Sequence, residues 1–401
     1  MIMLRKFLLP FWICIQFIQS IFVRIAYHLY KNRTKPIWLH SDRINTGGDN
    51  GEIFFTYCVK HYKDVEHIFI IDPKSPDAKR IGKFGKIVGV KSFRHKVFFL
   101  LAEKYFLSHP EIYFMNPFGS AKKFYSKFTQ PKIIFLQHGI TKGDLSSWLS
   151  KGEMNFWKIV TAAKKEYDSF LEFPYGYSEE NLISCGFPRF DTLKDDPKSK
   201  IIIMPTWRKS LVGEFNRRTG SYSYNPDFKK SEYLKFYNNL INDPKLLSVM
   251  QKYNLAGEFF IHPALTAQKS DFASNDIFKV FHSPFDYNKA FAEGNLLITD
   301  YSSVAFDFGY LNKPVIYCQF DADEINDGSI AFAKEYISAK KDGFGPVINT
   351  YELTIKEILK YIETDFKIPA KYRDRANKLY FHRDRNNCKR LLEVITRKSN
   401  S

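Results

Sequence analysis

The sequence predicts an α/β protein made of two doubly wound, Rossmann-like domains facing a cleft, with an amphipathic helix at its N-terminus. Three observations predict it. Short, continuous apolar runs alternate with helix-length polar segments, the pattern of parallel strands buried on both faces. The alternation stops at the polar, proline-containing stretch Lys194-Asp-Asp-Pro-Lys-Ser-Lys200 and then restarts. Finally, 401 residues exceed what one hydrophobic core usually serves, and 44% hydrophobic with 17% aromatic residues is enough to fill two.

In chain order, residues 1–35 come first. The apolar run from Phe7 to Val23 is short for a membrane span, is broken by Pro10, Gln16, Gln19 and Ser20, and has no small-residue cleavage site. Gln16, Gln19, Ser20, Arg24, His28 and Lys31 recur every three to four residues and form a polar stripe on an otherwise apolar helix. With Arg5, Lys6, Arg24, Lys31, Arg33 and Lys35 around it, this reads as a helix lying on an anionic membrane surface, its apolar face in the lipid. A true span is the alternative at this length.

Residues 36–194 form the first expected domain. Its strands are Ile37–His40, His67–Asp72, Lys86–Val90, Tyr105–Ser108, Ile133–Gln137 and Lys158–Thr161, with a helix near Glu52–His61 after the turn Gly47–Gly51. Residues 200–365 form the second, with strands at Ile201–Met204, Phe259–Ile261, Ile277–Phe281, Leu296–Ile298 and Val315–Tyr317. Residues 366–401 are basic and helical, their cations alternating with Tyr380, Phe381, Leu391, Leu392, Val394 and Ile395.

A formal charge of +17 points to nucleic acid, an anionic membrane surface or a polyanionic substrate. No recognisable DNA- or RNA-binding module is present, so no nucleic acid is expected. The five cysteines are far apart, without CxxC or Cys/His pairing, which argues against a zinc site and a disulfide framework and fits a reducing, cytoplasmic setting.

The polar residues fall at strand ends, where open parallel sheets bind ligands. In Ile298-Thr-Asp-Tyr-Ser-Ser-Val-Ala-Phe-Asp307 an apolar strand turns into a helix that Ser302 or Ser303 would cap, running to about Asn312 before Lys313-Pro314. Free N–H groups and the positive dipole end there suit a phosphate. Gln137-His138-Gly139 follows one strand and His262-Pro263 another, one histidine in each half. Arg189, in Gly186-Phe-Pro-Arg189, and Arg208, in Pro205-Thr-Trp-Arg208, supply guanidinium groups that could grip a phosphate through two hydrogen bonds. Asp321 and Asp323 lie among Glu324 and Asp327 in an expected surface loop, so no metal site is expected.

Together, Gln137-His-Gly139, Gly186-Phe-Pro-Arg189, Pro205-Thr-Trp-Arg208, His262-Pro263 and Thr299-Asp-Tyr-Ser-Ser303 with Asp307 resemble the CDP-glycerol glycerophosphotransferase family of teichoic acid and capsule polymer synthases. The resemblance implies a GT-B-like fold whose last helices cross back to the first domain. It also implies transfer of glycerol phosphate or ribitol phosphate from CDP-glycerol or CDP-ribitol to a lipid-linked polyanionic acceptor, and a peripheral seat on the cytoplasmic face of a bacterial membrane. Donor contacts would fall on His138, Gly139, Ile140, Thr141, Lys142, Arg189, Thr206, Trp207, Phe260, Ile261, His262, Ser302, Ser303 and Asp307. In the chemistry expected, His138 is the general base, and His262, Arg208, Arg189 and the Ser302-Ser303 helix start meet phosphate charge, with no cofactor. A GT-B nucleotide-sugar glycosyltransferase is the alternative.

Overall fold

The structure is a computed structural model that describes residues 2–125, 127–128, 130–216, 221–282, 285–322 and 335–397; within it, the side chains of 2–13, 120 and 123–124 are left undescribed. Asp323, Glu324 and Asp327 of the acidic loop therefore lie outside the described residues.

The first sheet is built from β1 (Ile37–Ser41), β2 (Glu66–Ile71), β3 (Lys86–Gly89), β4 (Ala102–Leu107), β5 (Lys132–Phe135), β6 (Lys158–Val160) and β7 (Leu182–Ile183). These seven strands are parallel in the order β3-β2-β1-β4-β5-β6-β7. The second half starts with β8 (Lys200–Ile203), carries a small hairpin of β9 (Phe215–Asn216) and β10 (Ser221–Tyr222), and continues with β11 (Ala256–Phe260), β12 (Phe278–Phe281), β13 (Gly294–Thr299), β14 (Val315–Cys318) and β15 (Val347–Ile348). Its six-stranded parallel sheet runs β12-β11-β8-β13-β14-β15. Ile201, Ile202 and Ile203 of the central strand are fully buried, as expected of a strand covered on both faces.

One apolar cluster joins the halves, running from Trp38, Phe54 and Leu136 through Phe190 to Phe306, Tyr310, Tyr380 and Leu391. The helix Asn387–Thr396 contributes Cys388, Leu391 and Ile395 to it and packs against the helix Asn50–His61 and the turn Pro188–Asp191. Asp191 pins it by accepting hydrogen bonds from the backbone N–H groups of Asn387 (2.9 Å) and Cys388 (2.8 Å) and from the Asn387 side chain (2.7 Å).

The N-terminal helix α1 (Ile2–Tyr30) packs on the helix Phe93–Leu101. Ser20 and Val23 are buried, Lys96 Nζ donates to Gln19 Oε1 (2.5 Å), and Tyr27 meets the edge of Phe128. Part of the polar stripe is therefore turned toward the protein, while Ile15, Phe17, Ile18, Ile21, Phe22, Ile25 and Leu29 are exposed. Among the described residues no helix is long and apolar enough to cross a membrane.

Candidate active site

The order of strands β1, β4 and β5 brings three loop ends side by side. After β1, the helix α2 (Asn50–His61) is capped by Asp49, whose side chain accepts from Asn50 N–H. Asp42 adds to the cap, accepting from the backbone of Gly51 (2.7 Å), Asp49 (3.0 Å) and Glu52 (3.2 Å) and from the Ser108 hydroxyl (2.6 Å). A Cβ at Gly51 would stand 2.2 Å from the Ser41 carbonyl oxygen, so only glycine lets the helix start this close to β1. Burial and then the neighbouring Asp49 push the Asp42 carboxyl up to about 7.

After β5, residues 137–142 form a loop held from three sides. Gln137 adopts a left-handed conformation (φ 60°), and its carbonyl accepts from Asn50 Nδ2 (2.7 Å). The buried Glu166 accepts from Ala162 N–H (2.8 Å), Thr141 N–H (2.9 Å) and Gln137 Nε2 (3.2 Å). Burial, partly offset by the backbone donors, pushes the Glu166 carboxyl up to about 7. From the second half, Tyr336 and Ile337 donate their N–H groups to the Lys142 carbonyl, the Tyr336 hydroxyl bonds Thr141 Oγ1 (2.6 Å), and Glu335 pairs with Lys142 Nζ (3.0 Å). Ile140 is buried in the core, whereas His138 is exposed as a residue.

His138 stacks on His109, which follows β4, with ring centroids 4.4 Å apart at 23°. His109 Nε2 lies 3.2 Å from Asp49 Oδ2. The surrounding protein, followed by His109, pushes the His138 pKa down against the pull of Asp49, so the imidazole is neutral and able to accept a proton. Arg43, exposed on the loop after β1, acts in the same downward sense on His138, His109 and His262.

Arg189 ties the halves together. Its Nε and Nη2 donate to Asp307 Oδ1 and Oδ2 (2.9 and 3.0 Å), Nη1 pairs with Asp49 (3.1 Å) and also reaches the His138 carbonyl, and its N–H donates to Asn50 Oδ1 (2.9 Å). Both carboxylate oxygens of Asp307 are thus engaged by Arg189. Arg208 is similarly enclosed: it donates to Asp300 Oδ2 (2.8 Å), Asp321 Oδ2 (2.8 Å) and the Thr206 carbonyl (2.6 Å), and is 4% exposed. The sequence expectation of a phosphate-facing Arg208 is met by a guanidinium already neutralised by two carboxylates, one of them, Asp321, in the loop expected to be a plain surface turn.

Asp300, fully buried, also accepts from Thr206 N–H (2.8 Å) and so locks the turns after β8 and β13 together. Ser303 occupies the cap position of the helix Val304–Tyr310 without a side-chain capping bond, and Ser302 Oγ accepts from Val304 N–H at 3.4 Å. That helix ends earlier than expected because Asn312 turns left-handed (φ 57°), a stop signal of its own. A Cβ at Gly139 would lie 3.3 Å from Ser303 Oγ and 3.9 Å from Arg189 Nη2, so the 137–142 loop of the first half and the serines of the second are in close approach. Beside them lies a small, open pocket lined in part by Lys142, Tyr301, Ser302, Phe306, Tyr317 and Asp342.

His262 accepts from Ala264 N–H at Nδ1 (3.2 Å), which leaves Nε2 to carry the proton, and it faces the Trp207 ring (6.1 Å, 28°). Burial pushes its pKa down to about 4, with Asp300 acting the other way. Phe260 and Ile261, expected as donor contacts, are buried: Phe260 packs on Phe281 and Phe285, and Ile261 lies in the second core. Sequence reasoning missed His109, Asp300, Glu166 and the pairing role of Asp49. For His109 a signal existed, because His109-Pro110 follows its strand as His262-Pro263 does.

Two parallel sheets, with polar groups of both halves meeting at strand ends, place the protein in the GT-B-like α/β class. Residues 21–397 match the family CDP-Glycerol:Poly(glycerophosphate) glycerophosphotransferase, and the chain belongs to that family. It is 37% identical over 386 residues to the minor teichoic acid biosynthesis protein GgaB of Bacillus subtilis (strain 168), covering 96% of this chain and 42% of that protein. With the teichoic acid glycerol-phosphate transferase of Staphylococcus aureus (strain NCTC 8325 / PS 47) it shares 25% identity over 232 residues, 53% of this chain and 54% of that one. The chain thus spans about half or less of the length of these relatives. In structure it is similar to the wall teichoic acid polymerase TagF (TM-score 0.64, 16% identity, 95% of this chain and 97% of that chain). It is also similar to a putative UDP-N-acetylglucosamine 2-epimerase from Listeria monocytogenes (TM-score 0.56, 11% identity, 90% and 96%).

Proposed function

We propose that this chain transfers glycerol phosphate or ribitol phosphate from a CDP-alditol to a hydroxyl of a lipid-linked teichoic acid or capsule polymer, releasing CMP. Residues 36–194 are its acceptor domain and residues 200–365 its donor domain, with 366–401 crossing back to the first. The acceptor oxygen attacks the alditol-bearing β-phosphorus while its proton passes to His138. The bond from that phosphorus to the bridging oxygen breaks, and CMP departs with the electron pair. Nε2–H of His262 and the hydroxyls of Ser302 and Ser303 meet the donor phosphates. Lys142, Thr141, Thr206 and Trp207 line the donor's approach, and Arg189 and Arg208, held by their carboxylates, fix the loops.

The observation that carries this reading is the approach of the Gly139 loop to Ser303 across the two halves, with a neutral histidine on each side of it. Family membership supports the donor class. The exposed apolar face of α1, with Arg24 beside it, supports a peripheral seat on the anionic cytoplasmic face of a bacterial membrane.

Incubating the protein with a synthetic lipid-linked acceptor and, separately, CDP-glycerol, CDP-ribitol and a panel of UDP- and GDP-sugars tests the reading. CMP release from a CDP-alditol is expected. Nucleotide release from a sugar donor alone would replace it with a glycosyltransferase.

A further inference from the structure

We propose that His109, anchored by Asp49, is a positioning residue that sets the orientation of the His138 imidazole for proton transfer. The inference rests on the reading of His138 as the base and goes beyond it to the groups that prepare it.

Strand order creates the arrangement. β4 lies between β1 and β5, and Leu107 of β4 pairs with Phe135 of β5, so the residues leaving their C-terminal ends emerge as neighbours. His109 comes from one end and His138 from the other, and their rings lie nearly parallel, 4.4 Å apart. Rings stacked face to face have no in-plane N–H···N line between them, so His109 does not relay the proton. What it supplies is a flat surface against which the His138 ring is oriented.

His109 can serve as such a surface because it is itself fixed. It is 7% exposed, and its Nε2 is bonded to Asp49 Oδ2 at 3.2 Å. Asp49 is in turn fixed at the start of α2, with its other oxygen shared by Arg189 and Asn50 N–H. Burial acts upward on the Asp49 carboxyl, but the hydrogen bond from His109 and the charge of Arg189 hold it well below the usual range, so it stays an anion at the edge of the His109 ring.

The same contact has an electrostatic consequence. The groups facing His138 are His109 from the end of β4, Asp49 and Arg43 from the segment after β1, and Arg189 from the 188–191 turn. A proton on His138 is favoured by Asp49 and disfavoured by the other three. Both imidazoles have their pKa pushed below the usual histidine value, and the charge of one disfavours a proton on the other. Replacing His109 by a ring that cannot be protonated removes one disfavouring group and frees Asp49 from a competing partner. Both changes raise the His138 pKa.

The test is the pH dependence of kcat for CMP release from the CDP-alditol that the protein turns over, using the full chain with His109→Phe, His109→Gln and His138→Ala. In the parent protein kcat falls at acid pH as His138 is protonated. His109→Phe keeps a stacking ring and loses the bond to Asp49; His109→Gln keeps a donor for Asp49 and loses the ring. In each variant that retains the parent's circular dichroism, the acid limb should move to higher pH by roughly half to one unit, and kcat at its plateau should fall about tenfold. An acid limb that stays in place in a folded variant overturns the inference while leaving His138 as the base. Near-normal turnover in His138→Ala removes the base itself, and this inference with it.

Discussion

Replacing Asp307 by asparagine keeps the shape of the side chain and removes its charge from Arg189. The pair is bonded through both carboxylate oxygens, with side-chain exposures of 3% for Asp307 and 11% for Arg189. Removing one partner of a buried pair costs about 3 to 5 kcal/mol, because the other charge stays behind without compensation. Here Arg189 keeps Asp49 and the His138 carbonyl, which lowers the expected loss to about 2 to 3 kcal/mol. Since Asp307 belongs to the second half and Arg189 to the first, the loss falls on their contact. Urea titrations followed by tryptophan fluorescence should show a lower midpoint in Asp307→Asn, and a double-mutant cycle with Arg189→Met should give a coupling of about 1 kcal/mol or more, inside the range of about 0.5 to 3 kcal/mol for residues in direct contact. Midpoints within error of the parent, or a coupling near zero, would refute the claim that this pair clamps the two halves.

Three further outcomes follow from the same geometry. Alanine at both Ser302 and Ser303 should weaken CDP-alditol binding about tenfold by calorimetry, since two hydroxyl contacts go while the backbone amides remain; an unchanged dissociation constant would place the phosphates elsewhere. Glu166, its carboxyl raised to about 7, binds its proton more tightly folded than unfolded, so its contribution to stability is complete below its unfolded value and lost as the pH rises through 7; Glu166→Gln should therefore show a smaller drop in stability than the parent between pH 5 and pH 8 in urea titrations. Deleting residues 1–30 should move much of the protein to the soluble fraction with its core folded, and alkaline carbonate should extract the intact protein; retention in carbonate-washed membranes would mean that α1 spans the bilayer.

The alternating apolar runs were enough to read the parallel strands, because a strand buried on both faces has little freedom in composition. Leu182–Ile183 and Val347–Ile348 escaped notice, since two residues carry no periodicity. The strand-end residues His138, Arg189, Arg208, His262, Ser302 and Ser303 were legible as polar groups after apolar strands, but their partners were not. Arg189 finds Asp307 across 118 residues and Arg208 finds Asp321 across 113, and nothing local marks either pairing. On α1, the pattern Gln16, Gln19, Ser20 separates two faces without saying which one turns inward. Packing against Lys96 and the 93–101 helix decided that, because Gln19 and the Ser20 hydroxyl, which donates to the Phe17 carbonyl, can be buried with their bonds satisfied.

The helix at 387–396 also constrains the order in which the molecule can be assembled. Asp191 waits for Asn387 across 196 positions, and until that helix arrives the face of α2 around Cys58 lacks part of its cover. At ordinary rates of synthesis the interval is roughly 10 to 40 s. The first half therefore emerges from the ribosome with an apolar surface that the 387–396 helix later helps to close, so completion of the two halves is coupled, and a nascent chain halted after the second sheet would be a substrate for chaperones instead of a finished domain.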